Sequence, residues 1–204
     1  MNDYQFIAPF YDFLLGPFMR SIRRDVLETV LELQPENVLD VACGTGDQLR
    51  LLTENGIDAV GVDMSEAMLK ICRKANPASD CLLQDASRMA FQGHCFDLVM
   101  ISFALHETGW ESAEKILQDI HRVLKPSGHL LVVDYTDFRE TPFYVRQSIH
   151  LIERMAGHRH FSNFRRYHQN GGLNTLIDKE QFQTVASIHH ASRSIALQLF
   201  ISLT

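Results

Sequence analysis

The chain has 204 residues, of which 46% are hydrophobic and 22% are charged, and it carries a formal net charge of −6. These values are typical of one folded globular domain, and they exclude a disordered or fibrous chain. The net acidity argues against nucleic acid as a partner, because phosphate binding requires a basic face.

Short apolar runs and helical patterns alternate along the chain, after a helical leader in residues 1–33. The strand candidates before residue 136 are 37–41, 59–63, 82–83, 96–102 and 129–135. Their alternation with helices predicts a parallel sheet that is covered by helices on both faces. Two further candidates, 182–189 and 194–202, are too close in sequence for a parallel crossover, so they must pair antiparallel. Residues 137–177 form a cap insertion before these last two strands.

Nothing in the sequence predicts a membrane or secreted protein. No apolar run approaches the ~20 residues that span a bilayer. The first residues, Met1 to Tyr4, lack the basic and apolar regions of a signal peptide. The four cysteines, at positions 43, 72, 81 and 95, form no CxxC pattern, and we expect free buried thiols in a reducing compartment. The sequence therefore predicts a cytoplasmic protein with no integral membrane association.

The strongest pattern is a glycine turn directly after the first strand, VLDVACGTGD at residues 38–47. Gly44 and Gly46 allow a tight turn and a close approach of a ligand to the backbone. Asp63 ends the second strand, where a carboxylate accepts two hydrogen bonds from a ribose diol. Asp85 follows the third strand, where it could accept from the exocyclic amine of adenine. Together these residues predict an adenosine ligand.

The turn favours an adenosine without phosphates. The third glycine of GxGxxG is absent, and Asp47 places a negative charge where a pyrophosphate would bind. Asp40 and Asp47 instead suit a cationic ligand with an ammonium or sulfonium group. Met64 and Met68 could pack on a flat base or in the core, and the pattern leaves both interpretations open.

These residues resemble those of the class I S-adenosylmethionine-dependent methyltransferases, over roughly residues 36–136. The motifs are DVACGTG (40–46), GVDMSEAML (61–69), QDA (84–86), FDLVMISFALHE (96–107) and RVLKPSGHLLVVD (122–134). In detail the chain is similar to the branch with ubiquinone- and menaquinone-biosynthesis and small-molecule methyltransferases. The resemblance implies a Rossmann-like seven-stranded α/β sheet, mostly parallel, with an antiparallel C-terminal strand. One departure is Ala42, where many members have glycine.

The resemblance also implies a cofactor, S-adenosylmethionine, with S-adenosylhomocysteine as its product. Gly44 and Gly46 would line its methionine part beside Ala42, and Asp40 would reach the ammonium group. The remaining implied contacts are Asp63 on the ribose, Met64 and Met68 at the adenine, Asp85 and Ala86 at the adenine edge, Ser102 and Phe103 at the floor, and Tyr11 as a lid.

The methyl acceptor is predicted to be a small molecule. His106 lies just past the fourth strand and could act as a general base, or it could bond locally and shape the pocket. The cap insertion is rich in arginine and histidine, and Tyr144, His160, Arg165 and Tyr167 are its candidate substrate residues. They suggest an acceptor with an anionic or phenolic group. The alternative is a solvated helical pair whose arginines face water.

No metal site is predicted. A trio of His158, His160 and His168 is an alternative, but it has no acidic partner within the cluster and matches no common zinc spacing. The leading function is methyl transfer. The alternatives are a non-catalytic cofactor-binding or regulatory protein, and a nicotinamide-dependent oxidoreductase.

Overall fold

A computed structural model describes the backbone of residues 4–203 and the side chains of residues 19–203. Seven strands lie in the described chain: β1 (Val38–Val41), β2 (Ala59–Asp63), β3 (Cys81–Leu83), β4 (Phe96–Ser102), β5 (Leu124–Tyr135), β6 (Phe182–His190) and β7 (Ile195–Ser202). The helices are α1 (Tyr4–Leu33), α2 (Asp47–Glu54), α3 (Glu66–Ala75), α4 (Trp110–Val123), α5 (Phe143–Met155), α6 (His158–Gln169) and α7 (Leu173–Leu176).

All seven strands form one sheet in the order β3-β2-β1-β4-β5-β7-β6. The pairs from β3 to β5 are parallel, whereas β7 runs antiparallel to both β5 and β6. The predicted mostly parallel sheet with an antiparallel C-terminal strand is therefore confirmed. The strand order reverses between β1 and β4, and ligands of open α/β sheets bind at such a switch point.

The centre of the sheet is buried on both faces. In β4 the consecutive residues Leu98, Val99, Met100 and Ile101 are all at most 1% exposed. Successive side chains of a strand point to opposite faces, so both faces of this strand are covered, as predicted for a parallel sheet with helices on both sides.

The C-terminal part of α1 belongs to the core. Ile22, Val26 and Val30 recur at helical spacing and are at most 2% exposed. The Arg23 guanidinium forms an ion pair with Asp47 at the start of α2, at 2.9 Å. This part of the leader is thus fixed against the helix that follows the glycine turn.

The fifth strand is longer than predicted. The sequence predicts a strand at 129–135, but β5 begins at Leu124. The pairing register with β4 shifts between Phe96 and Leu98, and Ser127 has a φ of 60°. Residues 125–128 therefore form an irregularity within the strand.

The expectation of four free thiols is wrong for one pair, because Cys72 of α3 and Cys81 of β3 form a disulfide. The chain turns back between α3 and β3, which brings the two Cα atoms to 6.6 Å, within the range that a disulfide spans. Cys43 and Cys95 are free. The paired cysteines are nine positions apart in the sequence, a spacing that does not form a CxxC pattern.

The cap insertion consists of α5, α6 and the short α7. Helix α6 buries Phe164 and Tyr167, while Arg159, Arg165 and Arg166 on the same helix are exposed. None of the helices in the described part of the chain has both the length and the apolar character that crossing a membrane requires.

Candidate active site

The register of the sheet brings the predicted cofactor residues to one edge. Val41 of β1 pairs with Val62 and with Ile101, and Asp63 pairs with Leu83. Because these strands are parallel, the segments that follow them all leave the sheet at the same end. The glycine turn, Asp63, the Asp85 loop and Ser102 therefore lie side by side.

The glycine turn is tied to the neighbouring strand by backbone hydrogen bonds. The Gly44 N–H donates to Asp63 Oδ2 at 2.9 Å, and the Cys43 N–H donates to the Val62 carbonyl at 3.0 Å. Ala42, Gly44 and Gly46 have φ values of 57°, 56° and 76°. Because three of the five residues 42–46 have a left-handed conformation, the chain turns sharply from β1 into α2. Only the glycines adopt this conformation without strain.

The two glycines face different surroundings. A Cβ atom on Gly44 would meet nothing within 4 Å, so this residue borders open space. A Cβ atom on Gly46 would overlap the Cys72 sulfur and lie 2.6 Å from Asn76 Nδ2. Gly46 therefore allows α3 to pack against the turn, whereas Gly44 leaves room for a ligand.

Two carboxylates at this edge are pre-oriented by short local bonds. Asp63 Oδ1 accepts from the Ser65 N–H at 2.7 Å, and each carboxylate oxygen keeps a lone pair for a ligand hydroxyl. Asp85 Oδ1 accepts from the Ser87 hydroxyl at 2.7 Å and from its N–H at 2.9 Å. These bonds from Ser87 lower the pKa of Asp85, so this carboxylate is ionised.

Asp40 is a buried acid with little compensating charge. It is 4% exposed, and burial together with the nearby charge of Asp63 raises its pKa to about 8, although Arg23 opposes the shift. A neutral Asp40 would ionise if a cationic group approached it. The electrostatics of this edge thus favour a positively charged ligand.

The other predicted cofactor residues line the same edge, with one exception. Met64 is 72% exposed, which contradicts core packing for this side chain. Ser102 at the end of β4 is half-buried, as are Met68, Ala86 and Phe103 on the segments that follow the strands. The side chain of Tyr11 lies outside the described residues, so its role as a lid stays a prediction.

Beyond β4, His106 is held by a buried carboxylate at the end of β5. Its Nδ1 lies 2.7 Å from Asp134 Oδ1, and the two side chains are 5% and 1% exposed. Asp134 also accepts from the N–H groups of Leu105, at 3.1 Å, and Tyr135, at 2.7 Å. The carboxylate therefore fixes both the ring and the loop that carries it.

Glu153 and His160 of the cap insertion complete a polar cluster that also contains His106, Glu107 and Asp134. Glu153 Oε1 accepts from the Tyr135 hydroxyl at 2.8 Å, and Oε2 bonds to His160 Nε2 and lies 3.8 Å from His106 Nε2. His160 Nδ1 lies 3.2 Å from Glu107 Oε2. Thus α5 and α6 join the ends of β4 and β5 through side chains.

The carboxylates of the cluster raise the pKa of its two histidines by more than burial lowers it. Burial alone would lower the pKa of both histidines, but Asp134 and Glu153 raise the pKa of His106. Hydrogen bonds to Glu107 and Glu153 raise the pKa of His160 to about 9. Burial would raise the pKa of Glu153, but His160 and His106 lower it.

An aromatic wall lies beside His106, formed by Tyr135, Phe138, Phe164 and His168. The ring centroids of Tyr135 and Phe164 are 4.8 Å and 6.2 Å from that of His106. His168 stacks on Phe138 with the centroids 4.1 Å apart. Burial lowers the pKa of His168 to about 4, and within residues 19–203 neither of its ring nitrogens has a hydrogen-bond partner.

The structure brings together some of the predicted substrate residues. His106 and His160 are neighbours, with ring centroids 5.6 Å apart, and Tyr167 is buried with its hydroxyl 3.4 Å from the Tyr135 carbonyl oxygen. Tyr144 is 70% exposed and Arg165 is exposed, so neither side chain joins the cluster.

The sequence analysis missed Asp134 and Glu153. Asp134 occupies the same strand-end position as Asp63, a signal that was available. Glu153 is an isolated acid among arginines, and only the packing of α5 reveals it. The alternative histidine trio is not assembled as a group, because His158 is exposed and His168 lies in the aromatic wall.

Comparison with known proteins identifies the central part of the chain. Residues 39–132 match the family model described as a methyltransferase domain. Over 141 residues the chain is 35% identical to a demethylmenaquinone methyltransferase of Renibacterium salmoninarum, an alignment that covers 67% of this chain and 59% of that protein. Over this central part the chain is a methyltransferase domain of the class I S-adenosylmethionine-dependent type. It spans about half the length of the curated relatives it matches.

Two solved structures of other proteins share the fold. PH0226 from Pyrococcus horikoshii superposes with a TM-score of 0.66 and 24% identity, over 88% of this chain and 90% of that one. The plantazolicin methyltransferase BpumL, solved in complex with S-adenosylhomocysteine, gives a TM-score of 0.69 with 15% identity, over 99% and 91%. The assignment of the glycine turn after β1 and of Asp63 at the end of β2 to the cofactor stays a prediction of the resemblance.

Proposed function

We propose that this protein transfers a methyl group from S-adenosylmethionine to a small aromatic acceptor that carries a hydroxyl group, such as a quinol. The observation that carries the proposal is the position of the His106–Asp134 pair. It lies directly beyond the strand end that bears Ser102, beside a wall of aromatic rings. Donor and acceptor residues therefore follow one another on adjacent strands.

The donor half of the proposal assigns the cofactor to the glycine-turn edge. Asp63 would hold the ribose diol, Asp85 with Ala86 would contact the adenine edge, and the exposed Met64 would cover the base. The open space at Gly44 would take the methionine part of the cofactor. The buried Asp40 would ionise against its ammonium group.

The acceptor half favours a phenolic group over an anionic one. The rings of Tyr135, Phe138 and Phe164 pack on one another and are at most 7% exposed, so the surroundings of His106 are apolar and suit an aromatic ring better than a charged group. The arginines that would hold an anion face solvent on α5 and α6. The names of the relatives, demethylmenaquinone methyltransferases, support an acceptor of the quinone class.

The chemistry is an in-line displacement. The acceptor hydroxyl loses its proton, an electron pair of the resulting phenolate attacks the methyl carbon from its oxygen or a ring carbon, and the carbon–sulfur bond breaks. S-adenosylhomocysteine leaves as a neutral thioether. Because the sulfonium is already activated, alignment supplies much of the rate. Nδ1 of His106 is bound to Asp134, so Nε2 is the atom that would receive or orient the hydroxyl proton.

The test uses the full chain with S-adenosylmethionine and a panel of reduced naphthoquinones, benzoquinols and simple phenols. We expect S-adenosylhomocysteine to form with a quinol and the product mass to rise by one methyl group. Cofactor binding by calorimetry without turnover of any acceptor would favour a non-catalytic cofactor-binding protein. Binding of NAD but not of S-adenosylhomocysteine would favour an oxidoreductase and overturn the proposal.

A further inference from the structure

We infer that His106, Glu107 and His160 form a binding site for one divalent first-row transition-metal ion. Among the side chains of residues 19–203, these three each present one ligand atom, and the three atoms all lie within 4.8 Å of one another. Two imidazoles and one carboxylate are a common ligand set for such ions. The inference concerns ion binding and does not depend on the methyl-transfer proposal.

The hydrogen bonds of the two imidazoles decide which nitrogens face the site. Nδ1 of His106 is bound to Asp134, so Nε2 is its ligand atom. Nε2 of His160 is bound to Glu153, and its Nδ1 is the atom that lies 3.2 Å from Glu107 Oε2. Each histidine thus has a carboxylate on the nitrogen that does not face the site. This arrangement is the usual one around metal-binding histidines, because it fixes the ring and its tautomer.

The charge of the cluster also favours a cation. Three carboxylates, from Glu107, Asp134 and Glu153, surround two imidazoles. Even with both rings protonated, one negative charge remains over, and Glu153 and Asp134 are at most 2% exposed. A bound divalent ion would replace the two ring protons and hold the same charge at the centre of the cluster.

The site is accessible from one side. The side chain of Glu107 is 37% exposed and that of His160 is 11% exposed, whereas His106 closes the inner side at 5%. Three protein ligands leave coordination positions open for water or an anionic oxygen. Binding of the ion to His106 Nε2 and proton transfer at the same atom exclude each other, so the proton transfer proposed above would belong to the metal-free chain.

The test titrates the full chain, stripped with a chelator, with Co²⁺ and then displaces it with Zn²⁺. We expect one Co²⁺ per chain with a visible ligand-field spectrum that Zn²⁺ abolishes. Mg²⁺, which prefers oxygen ligands, is expected to leave the spectrum unchanged. His160→Gln and Glu107→Gln should weaken binding at least as much as the ~10–100-fold that is typical when an outer partner is lost.

His158→Gln is the matched control, because it removes an exposed histidine from the same helix and should leave the affinity unchanged. Circular dichroism checks that each variant is folded, and the partly exposed Glu107 is the position most tolerant of change. The inference is overturned if the wild-type chain shows no saturable Co²⁺ spectrum. It is also overturned if His160→Gln and Glu107→Gln, once folded, bind as tightly as His158→Gln.

Methyl transfer by the chelator-stripped chain would leave the metal site standing and would show only that the ion is not required for that reaction. Failure of methyl transfer by the metal-free chain, if that chain binds Co²⁺ when the ion is added, would instead count against the proposed acceptor. The two proposals therefore fail separately.

Discussion

Asn76 of α3 donates a hydrogen bond from Nδ2 to the carbonyl oxygen of Gly46, at 3.0 Å. Asn76 is buried and lies at the C-terminal cap of α3, so its side chain joins the glycine turn to this helix. The close approach exists because Gly46 has no Cβ atom. The two glycines of the turn should therefore respond differently to the same substitution.

Gly46→Ala should destabilise the fold, by about 2–4 kcal/mol, because its Cβ would overlap Cys72 and Asn76 and its φ is 76°. Gly44→Ala should lower stability by only about 1 kcal/mol, from backbone strain alone. Urea unfolding measures both values. Equal losses for the two variants would contradict the different surroundings of the two glycines.

Calorimetry on the folded Gly44→Ala variant then tests the ligand side. We expect its affinity for S-adenosylhomocysteine to fall by at least about tenfold, ~1.4 kcal/mol, because the new methyl group would occupy space left for the cofactor. An unchanged affinity would mean that the methionine part binds elsewhere.

Asp63→Ala should weaken binding of S-adenosylhomocysteine by about 1.5–3 kcal/mol, because a hydrogen-bonded charged acceptor for the ribose is lost. The variant also removes the acceptor for the Gly44 and Ser65 N–H groups, which positions the turn. Asp58→Ala is the control, since Asp58 is an exposed acid just before β2, at its opposite end. Equal affinities of the two variants for S-adenosylhomocysteine, measured by calorimetry, would refute the assignment of Asp63 to the ribose.

Cofactor binding should release a proton near pH 7. The ligand-free protein holds a proton on Asp40 because the pKa is raised to about 8 by burial and by Asp63. An ammonium group beside Asp40 lowers this pKa, so the carboxyl group ionises on binding, and affinity should rise with pH up to about 8. Calorimetry in buffers of different ionisation enthalpy counts the released protons.

Asp40→Asn isolates this effect from the titration of the ligand itself. The variant keeps the shape of the side chain but cannot ionise, so its proton release should fall close to zero. Release equal to that of the wild type would show that another group titrates.

The Cys72–Cys81 disulfide should stabilise the oxidised protein. Cys81→Ser is expected to lower the free energy of unfolding by about 2–3 kcal/mol, because a short closed loop is released in the unfolded state. Cys95→Ser, which removes a free cysteine, should have little effect. Urea unfolding with and without a reductant measures the difference, and a non-reduced peptide map should contain the linked pair. A wild-type protein as stable in reductant as without it would contradict this role.

The fold was predictable from sequence because its signals are local. The alternation of β4 and α4, the serine that caps α3 and the short link between β6 and β7 all follow from neighbouring residues. The carboxyl ends of parallel strands meet at one edge of the sheet, and this rule predicts from the sequence that Asp63 and Asp85 lie at that edge. It applies equally to Asp134, which the same reasoning should have included.

The acceptor side was less predictable, because its contacts depend on how the cap insertion packs. Glu153 and His160 meet Glu107 and His106 across three different elements, and no spacing within the sequence encodes those distances. Composition alone could not separate the buried Tyr167 from the exposed Arg165, which are two residues apart on α6. Their positions around the helix distinguish the two residues only when the buried face of α6 is known.

Helix α1 is continuous from Tyr4 to Leu33, and its second half packs Ile22, Val26 and Val30 into the core. Moving the whole helix away would expose these side chains to water, at roughly 1.5–3 kcal/mol each. The second half of α1 therefore stays on the core, and a ligand at the glycine turn, where Arg23 contacts Asp47, would meet a surface that does not move aside.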